Sequence, residues 1–304
     1  MLFIMAMLIS SCSRERKIKS FKAELLQEKE LDYPSGSTIN FYNNQLYLMG
    51  DDAQGVLVLD TSLNPRDTVH VFGEKSSRIS KPVKPDIESS DIVGNSLWML
   101  GSAAVSPYRD SLYKLDLETN SVDKIQLKTF FDRLRKDIQQ LNIEAFAKLK
   151  DEIVLGHRRS VTHKQNYFIA TGPDFAAQQN SNYKIIPFHP QNKDAGISGF
   201  AYSAAQDMLF ITCSQEDTRN SYEDGEIGES YLAVIQNVSE ALKADTLSAS
   251  HWLPLQQLHP GFSKVKVESL TIAEPKEDSL ILYLAADNDD GRTRLYRIKL
   301  TPQY

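Results

Sequence analysis

Two cysteines in 304 residues, Cys12 and Cys213, exclude a disulfide-stapled scaffold. Basic residues are in deficit: 34 Lys and Arg against 40 Asp and Glu give a formal charge of −6. That excludes the basic face that nucleic-acid binding needs. No run of like charges is long enough for an interaction tail. The motifs of common chemistries are missing as well. There is no phosphate-binding glycine loop, no Cys-x-x-Cys pair and no His-Glu-x-x-His. "GISGF" at 196–200 is not a nucleophile elbow, which requires Gly-x-Ser-x-Gly. The six histidines, at 70, 157, 163, 189, 251 and 259, follow no ligand spacing. No apolar stretch is as long as a bilayer-spanning helix.

The apolar run that is present lies at the N-terminus. "MLFIMAML" has the length of the apolar part of a secretory signal. "ISSC" resembles a bacterial lipobox, with Ile9 at −3, the small Ser10 and Ser11, then Cys12. Such a signal is cut before the cysteine, which then carries lipid. No Lys or Arg precedes the run, a departure from the usual signal; the alternative is a buried N-terminal strand. The expected organisation is a signal peptide over 1–11, a tether over 12–24 beginning "CSRERKIK", and one domain over 25–304. The tether lacks the acidic run that marks export to the outer cell surface. The expected place is therefore the bacterial cell envelope, facing the periplasm from a membrane held through the lipid on Cys12. With Cys12 acylated, Cys213 has no partner; in "MLFITCS" it reads as a small buried hydrophobe.

What the remainder has in abundance is a repeat. "STINFYNNQLYLMGDD", "ESSDIVGNSLWMLGS", "EAFAKLKDEIVLGHR", "SGFAYSAAQDMLFITCSQED" and "ESLTIAEPKEDSLILYLAADND" each hold two short alternating runs around turn residues, a hairpin pattern. They begin at Ser37, Glu88, Glu144, Ser198 and Glu268, spaced 51, 56, 54 and 70 residues apart. Each interval has room for two further strands, such as "GVLVLDT" and "DTVHVFG". Four antiparallel strands per unit, repeated, predict an all-β fold, a β-propeller. Five blades are expected, or six if the long fourth interval hides a degenerate blade. "FKAELLQEKEL" from the N-terminus is expected to complete the last blade and so remove its open edge. "KTFFDRLRKDIQQLN" places Phe131, Leu134, Ile138 and Leu141 at helical spacing, which predicts one short inserted helix near 130–141.

The start of each unit's first run should face the central channel, and three of the five are Glu88, Glu144 and Glu268. Polar neighbours join them: Lys84, Asp86 and Asn142 before the first runs, then Asp51, Asp52, Arg158, Glu216 and Asp287 after the second. Carboxylates gathered at one axis repel unless something compensates. Lys84, Arg109 or Arg158 could pair with them. A hard cation such as Ca²⁺ could sit among their oxygens. Some could keep a raised pKa for acid–base work, or they could simply cap strand ends. "DNDDG" at 287–291 is read as a hairpin turn rather than an EF-hand loop.

"GDD" at 50–52, "KPDIES" at 84–89, "LNIEAF" at 141–146, "YEDGEIGES" at 222–230 and "VESL" at 267–270 resemble a family of bacterial β-propeller proteins of unknown function, common as lipoproteins in Bacteroidota. It is distantly similar to the esterase-like propellers related to phytases. The resemblance spans about 30–300. It implies Asp51, Asp52, Asp86, Glu88, Glu144, Glu216, Asp224 and Glu268 as the site acids. Family members have "LNIEGA" where this chain has "LNIEAF", and "SGI" where it has "STI"; both departures touch packing rather than the acids. The expected function is a lipid-anchored binding or scaffold propeller whose acidic channel holds a cation, its partner a ligand or another envelope protein. The alternative is a metal-assisted phosphoester or ester hydrolase. Few Lys or Arg flank the anchors in sequence, which weighs against phosphate chemistry. A third reading, carbohydrate handling through Trp98, Tyr108, Tyr222 and Trp252, ranks last because Trp98 alternates within a strand.

Overall fold

The computed structural model describes residues 18–73, 78–216, 227–273, 278–288 and 290–304. The first strand, β1 (Ser20–Leu31), belongs to the last blade. Blade one is β2 (Gly36–Tyr42), β3 (Gln45–Gly50), β4 (Gly55–Asp60) and β5 (Pro65–His70). Blade two is β6 (Ile87–Val93), β7 (Ser96–Gly101), β8 (Ser111–Asp116) and β9 (Val122–Gln126). Helix α1 (Lys128–Asp137) precedes blade three, which is β10 (Ile143–Lys148), β11 (Ile153–His157), β12 (Asn166–Thr171) and β13 (Tyr183–Phe188). Blade four is β14 (Ala195–Ser203), β15 (Met208–Glu216), β16 (Ile227–Gln236) and β17 (His251–Pro254). Blade five is β18 (Val267–Ile272), β19 (Leu280–Asp287), β20 (Thr293–Gln303) and the N-terminal β1.

All ladders within the blades are antiparallel, and the innermost strands β2, β6, β10, β14 and β18 touch one another in a closed ring. Five blades, not six, account for the chain. The long fourth interval holds two short helices, α2 (Val238–Ala241) and α3 (Leu255–Leu258), and a 3₁₀ turn over Pro260–Phe262 rather than another sheet. The inserted helix α1 begins at Lys128 and ends at Asp137, short of residue 141. Ile138 and Leu141 are still buried beside it, so the helical spacing extends past the point where the backbone turns extended.

Second strands read as near-continuous apolar runs because a neighbouring blade covers each face; all five residues of β11 are buried. Four apolar clusters form the core. One joins Leu48 and Leu59 of blade one to Leu97 of blade two and Tyr283 of blade five. Innermost strands of adjacent blades have no backbone ladder between them, so side chains supply the bonds. The amides of Ile39 and Phe41 donate to Ser269 Oγ at 3.1 Å and Thr271 Oγ1 at 3.0 Å, tying blade one to blade five. Close approach also demands small residues. A Cβ on Gly199 would lie 2.7 Å from Thr212 Oγ1 and 3.0 Å from the Glu268 carbonyl.

Residues 20–24, expected in the tether, are already strand, because Ser20 pairs with Gln303 and Ala23 with Leu300. Ile18 is buried against the blade-five core. β1 covers the whole edge of β20, from Ser20 opposite Gln303 to Leu31 opposite Thr293. Its alternating exposed and half-buried pattern suits an outermost strand, and a bulge at Leu25/Gln27 twists it. The free cysteine Cys213 is buried, and its thiol is pushed up to about 12 by that burial. Among the described residues, no helix is long and apolar enough to cross a membrane.

Removal of residues 1–31 should uncover the eleven-residue edge of β20. The expected outcome is an oligomerising protein without a single cooperative unfolding transition, read by calorimetry and size exclusion. A monomer with unchanged melting would contradict closure by β1.

Candidate functional site

Every innermost strand breaks register once, near its start. Pairing steps from Gly36 to Thr38, Ile87 to Ser89, Ile143 to Ala145, Ile197 to Gly199 and Val267 to Ser269. The skipped residues are Ser37, Glu88, Glu144, Ser198 and Glu268, the five that begin the sequence repeats. A bulge leaves one residue unpaired and re-aims its side chain. Five equivalent bulges around one axis therefore form a ring of side chains at the channel mouth. Ser198 is turned aside, its Oγ donating to the Val267 carbonyl at 2.7 Å. Ser37 Oγ donates to the Ser35 carbonyl at 3.0 Å. The three glutamates carry the chemistry.

Loops from the same face close around the ring. In four of the blades the residue two before the bulge meets, through the backbone, the last residue of the second strand or the one after it. Asp51 N donates to Ser35 O at 3.1 Å, Ser102 N to Asp86 O at 2.9 Å, Arg158 N to Asn142 O at 2.9 Å and Asp287 N to Lys266 O at 3.1 Å. The result is a polar cavity of about 670 Å³. Asp51, Asp52, Lys84, Asp86, Glu88, Asn142, Glu144, Arg158, Glu216, Glu268 and Asp287 all line it. Of the remaining expected positions, Asp224 and Cys12 lie outside the described residues. His157 is buried behind the wall, its Nδ1 within 3.0 Å of the Asn142 amide, and its pKa is pushed down to about 4 by burial. Trp98 is half-buried and stacks on Phe146, with the Lys114 ammonium 3.9 Å over its ring.

Cations that sequence reading missed also line the cavity: Arg78, Lys81, Arg159 and Lys266. The expectation of few basic residues near the anchors is thus corrected. Lys266 had a signal, since it stands two residues before Glu268, as Asp86 stands before Glu88 and Asn142 before Glu144. Arg159 had one too, since it follows Arg158 as Asp52 follows Asp51, whereas Arg78 and Lys81 come from a loop that no repeat aligns.

Two ammonium bridges organise the acids. Lys84 Nζ contacts Asp51 and sits 2.7 Å from Asp86 Oδ1. Asp86 Oδ2 accepts from Arg109 at 2.6 Å and from Ser102 Oγ. Asp86 holds this position with a left-handed backbone, φ 55°, a conformation that aspartate tolerates better than most residues. Across the cavity, Lys266 Nζ lies 3.1 Å from Glu216 and 2.8 Å from Glu268 Oε1. Arg158 reaches Glu216 at 3.3 Å and Ser214 Oγ at 3.1 Å. Burial works against the charge of Lys84, but Asp86 and Asp51 more than offset it and hold its pKa above the lysine range. Burial likewise opposes the charge of Arg158, and Glu144, Glu216 and Glu268 more than restore it.

The anchor glutamates are less well compensated. Glu88 makes no hydrogen bond or ion pair among the described residues. Burial, then the nearby Glu144, Asp86 and Asp51, raise its carboxyl well above the usual range. Glu144 accepts from Asn142 Nδ2 at 2.6 Å, yet burial raises it to about 7 against the pull of Arg158. Glu268 is 4% exposed, and its Oε2 has no partner. Asp51, Asp86 and Glu88 each place one oxygen within 4.8 Å of the others, so this trio could hold a metal ion.

Residues 32–300 match the Family of unknown function (DUF6929). The chain belongs to that family. No curated protein matches its sequence. Among solved structures it is similar to a glutaminyl cyclase of Myxococcus xanthus, with TM-score 0.51 and 10% identity over 93% of this chain and 97% of that one. It is also similar to a DUF4221 member from Bacteroides vulgatus, with TM-score 0.39 and 9% identity over 94% of this chain and 100% of that one. A Bacteroides fragilis protein described as exported gives TM-score 0.42 and 9% identity over 94% and 95%. At this identity the likeness of the DUF6929 chain to the cyclase shows a shared fold.

Two outcomes follow from the charges. Asp86→Ala would leave Lys84 and Arg109 buried without their shared carboxylate, and should cost about 3–5 kcal/mol in denaturant unfolding at pH 7. A loss below about 1 kcal/mol would show the network to be dispensable. Glu144 binds its proton more tightly folded than unfolded, since its pKa moves from 4.5 to about 7. Its favourable contribution is therefore complete below about pH 4.5 and is lost as pH rises to about 7. Glu144→Gln should be more stable than the native protein at pH 8 and level with it at pH 4. A variant less stable at pH 8 would reverse the sign.

Proposed function

We propose that this propeller is a cation-binding protein of the cell envelope, anchored by a lipid on Cys12 and taking its ligand at the channel mouth. One observation carries the binding reading. Eight carboxylates and six cationic side chains line the cavity among the described residues, and Arg109 from behind the wall pairs with Asp86, so the acids still outnumber the cations by one. The carboxyls held highest are Glu88 and Glu144, which face that cavity without a cation bridging them as Lys84 and Lys266 bridge the others. A bound cation would exchange for their protons. The free energy of confining these acids then becomes selectivity for positive charge. Ca²⁺ at Asp51, Asp86 and Glu88 is one candidate.

The orientation supports an anchored receptor. Ser20 and Gln303, paired at the start of β1 and the end of β20, lie at the opposite end of their ladder from Leu31 and Thr293. The latter pair stands at the site face, where Thr293 Oγ1 bonds Gly36 N. A tether running from Cys12 to Ser20 would therefore hold the propeller by its far face, with the mouth turned away from the membrane.

Metal-assisted ester or phosphoester hydrolysis is the second reading. It is favoured by Glu144, whose carboxyl at about 7 can accept or give a proton at neutral pH, and by the cations on the wall. Phosphate and carboxylate esters with and without Ca²⁺ would separate the two; turnover that vanishes in Glu144→Gln supports hydrolysis.

For binding, the test is thermal unfolding of residues 13–304 at pH 8 with EDTA, then with Ca²⁺ or alkylammonium chlorides at constant ionic strength. At least one cation should raise the melting temperature by several degrees in a concentration-dependent way. The rise should be absent from the Glu88→Gln/Glu144→Gln protein. No rise with any cation, or a rise that survives both substitutions, would refute the channel-mouth site.

A further inference from the structure

We propose that the cation taken at the channel mouth is a small amphiphilic organic cation, its charged head between Asp51 and Glu88 and its apolar body along the rim of blade two. This deepens the cation-binding reading and rests on it. Asp51, Asp86 and Glu88 each bring one oxygen within 4.8 Å of the others. Asp86 has no oxygen to spare, since Lys84 takes one and Arg109 with Ser102 takes the other. Asp51 gives Oδ2 to Lys84 and keeps Oδ1 without a partner. Glu88 engages neither oxygen in a hydrogen bond or ion pair among the described residues. Asp51 and Glu88 are thus the two acids of this trio with capacity left for a ligand's charge.

The wall around these acids is not uniform. Most of the described lining is polar, and its three apolar residues, Ile79, Ala104 and Leu141, all come from blade two or the connections into and out of it. The apolar character continues outward on the same side. Four large hydrophobic side chains stand exposed among the described residues, and two of them, Val83 at 46% and Tyr108 at 50%, are here. The segments that carry them meet at the end of β7: a Cβ on Gly101 would lie 2.5 Å from the Arg109 carbonyl and 2.7 Å from the Pro85 carbonyl. Lys84 and Arg109, the chain neighbours of Val83 and Tyr108, also grip the same Asp86. Val83 and Tyr108 therefore stand on one rim, beside the acids of the trio. Two side chains are too few for a protein partner, whose interface covers about 800 Å² a side. A cavity of about 670 Å³ is the size of a small-molecule site. A bare metal ion would make no use of the apolar side, and a neutral apolar ligand none of the acids. Exposed apolar groups beside carboxylates with oxygens to spare fit a ligand that carries both.

The test titrates residues 13–304 at pH 8 and constant ionic strength with methyl-, ethyl-, butyl- and hexylammonium chloride, 1-hexanol, Ca²⁺ and a blocked tetrapeptide holding one lysine and one phenylalanine, followed by protein chemical shifts. The expected result is saturable binding of the alkylammonium ions that tightens about two- to fourfold for each methylene added. Hexanol should bind at least tenfold more weakly than hexylammonium. Glu88→Gln should weaken hexylammonium about tenfold, the scale of one charged hydrogen bond. That variant should fold, because Glu88 supports no hydrogen bond or ion pair of its own among the described residues. The double variant Val83→Ser/Tyr108→Ser, at two exposed positions, should flatten the dependence on chain length while the melting temperature without ligand stays as it was. Equal affinity for methyl- and hexylammonium, or binding of Ca²⁺ alone, would overturn the amphiphilic assignment and leave the cation site standing. So would a dependence on chain length that survives the double variant, or tighter binding of the peptide than of hexylammonium. Binding of none would overturn both.

Discussion

Five inner strands must pass close to one axis, and each can turn a side chain into the mouth only by giving up one step of its ladder. That single constraint, the bulge at Ser37, Glu88, Glu144, Ser198 and Glu268, organises the molecule. A regular ladder would alternate side chains between the two neighbouring blades and aim none along the axis. With the bulge, one residue per blade leaves the alternation, and the next is in register to pack again. Ser89, Ala145, Gly199 and Ser269, which follow the bulges, are small enough for adjacent inner strands to stay close. Core, ring closure and site therefore depend on the same irregularity.

Three glutamates lining one cavity would drive the strands apart unless the surroundings accommodate them. Ammonium ions on the chain answer this for the outer acids. The left-handed Asp86 shows what the arrangement costs locally, and its contacts with Lys84, Arg109 and Ser102 show what holds it. Protons answer it for Glu88 and Glu144. Arg158 and Lys266, packed beside Glu144, stop that carboxyl from rising as far as burial alone would take it. A site poised in this way can gain or lose a proton near neutral pH without rebuilding its walls.

Much of this was readable from the chain. The repeats begin at the bulge residues because a bulged residue leaves the apolar alternation and is polar just where that alternation starts. That made Glu88, Glu144 and Glu268 visible. Blade count was less clear, since α2, α3 and the turn at Pro260 lengthen the fourth interval without adding strands. The end of α1 was overrun because Ile138 and Leu141 remain buried after the helix has ended. The cations Arg78 and Lys81 were illegible because a loop brings them in, and loop geometry has no period. Pairing was illegible too: nothing in "KPDIE" says that Lys84 bends back to Asp51, or that Asp86 shares itself with Arg109.

The claim that the bulges press these carboxylates into one poorly solvated space is tested most directly by titrating them one by one. Carbon-detected NMR of ¹³C-labelled glutamate carboxyls, assigned with Glu88→Gln and Glu144→Gln, would follow each group from pH 3 to 10. The expected result is a midpoint near 7 for Glu144 and one well above the ordinary carboxylate range for Glu88, each moving when the other is neutralised. Two independent curves with ordinary midpoints near 4.5 would contradict it.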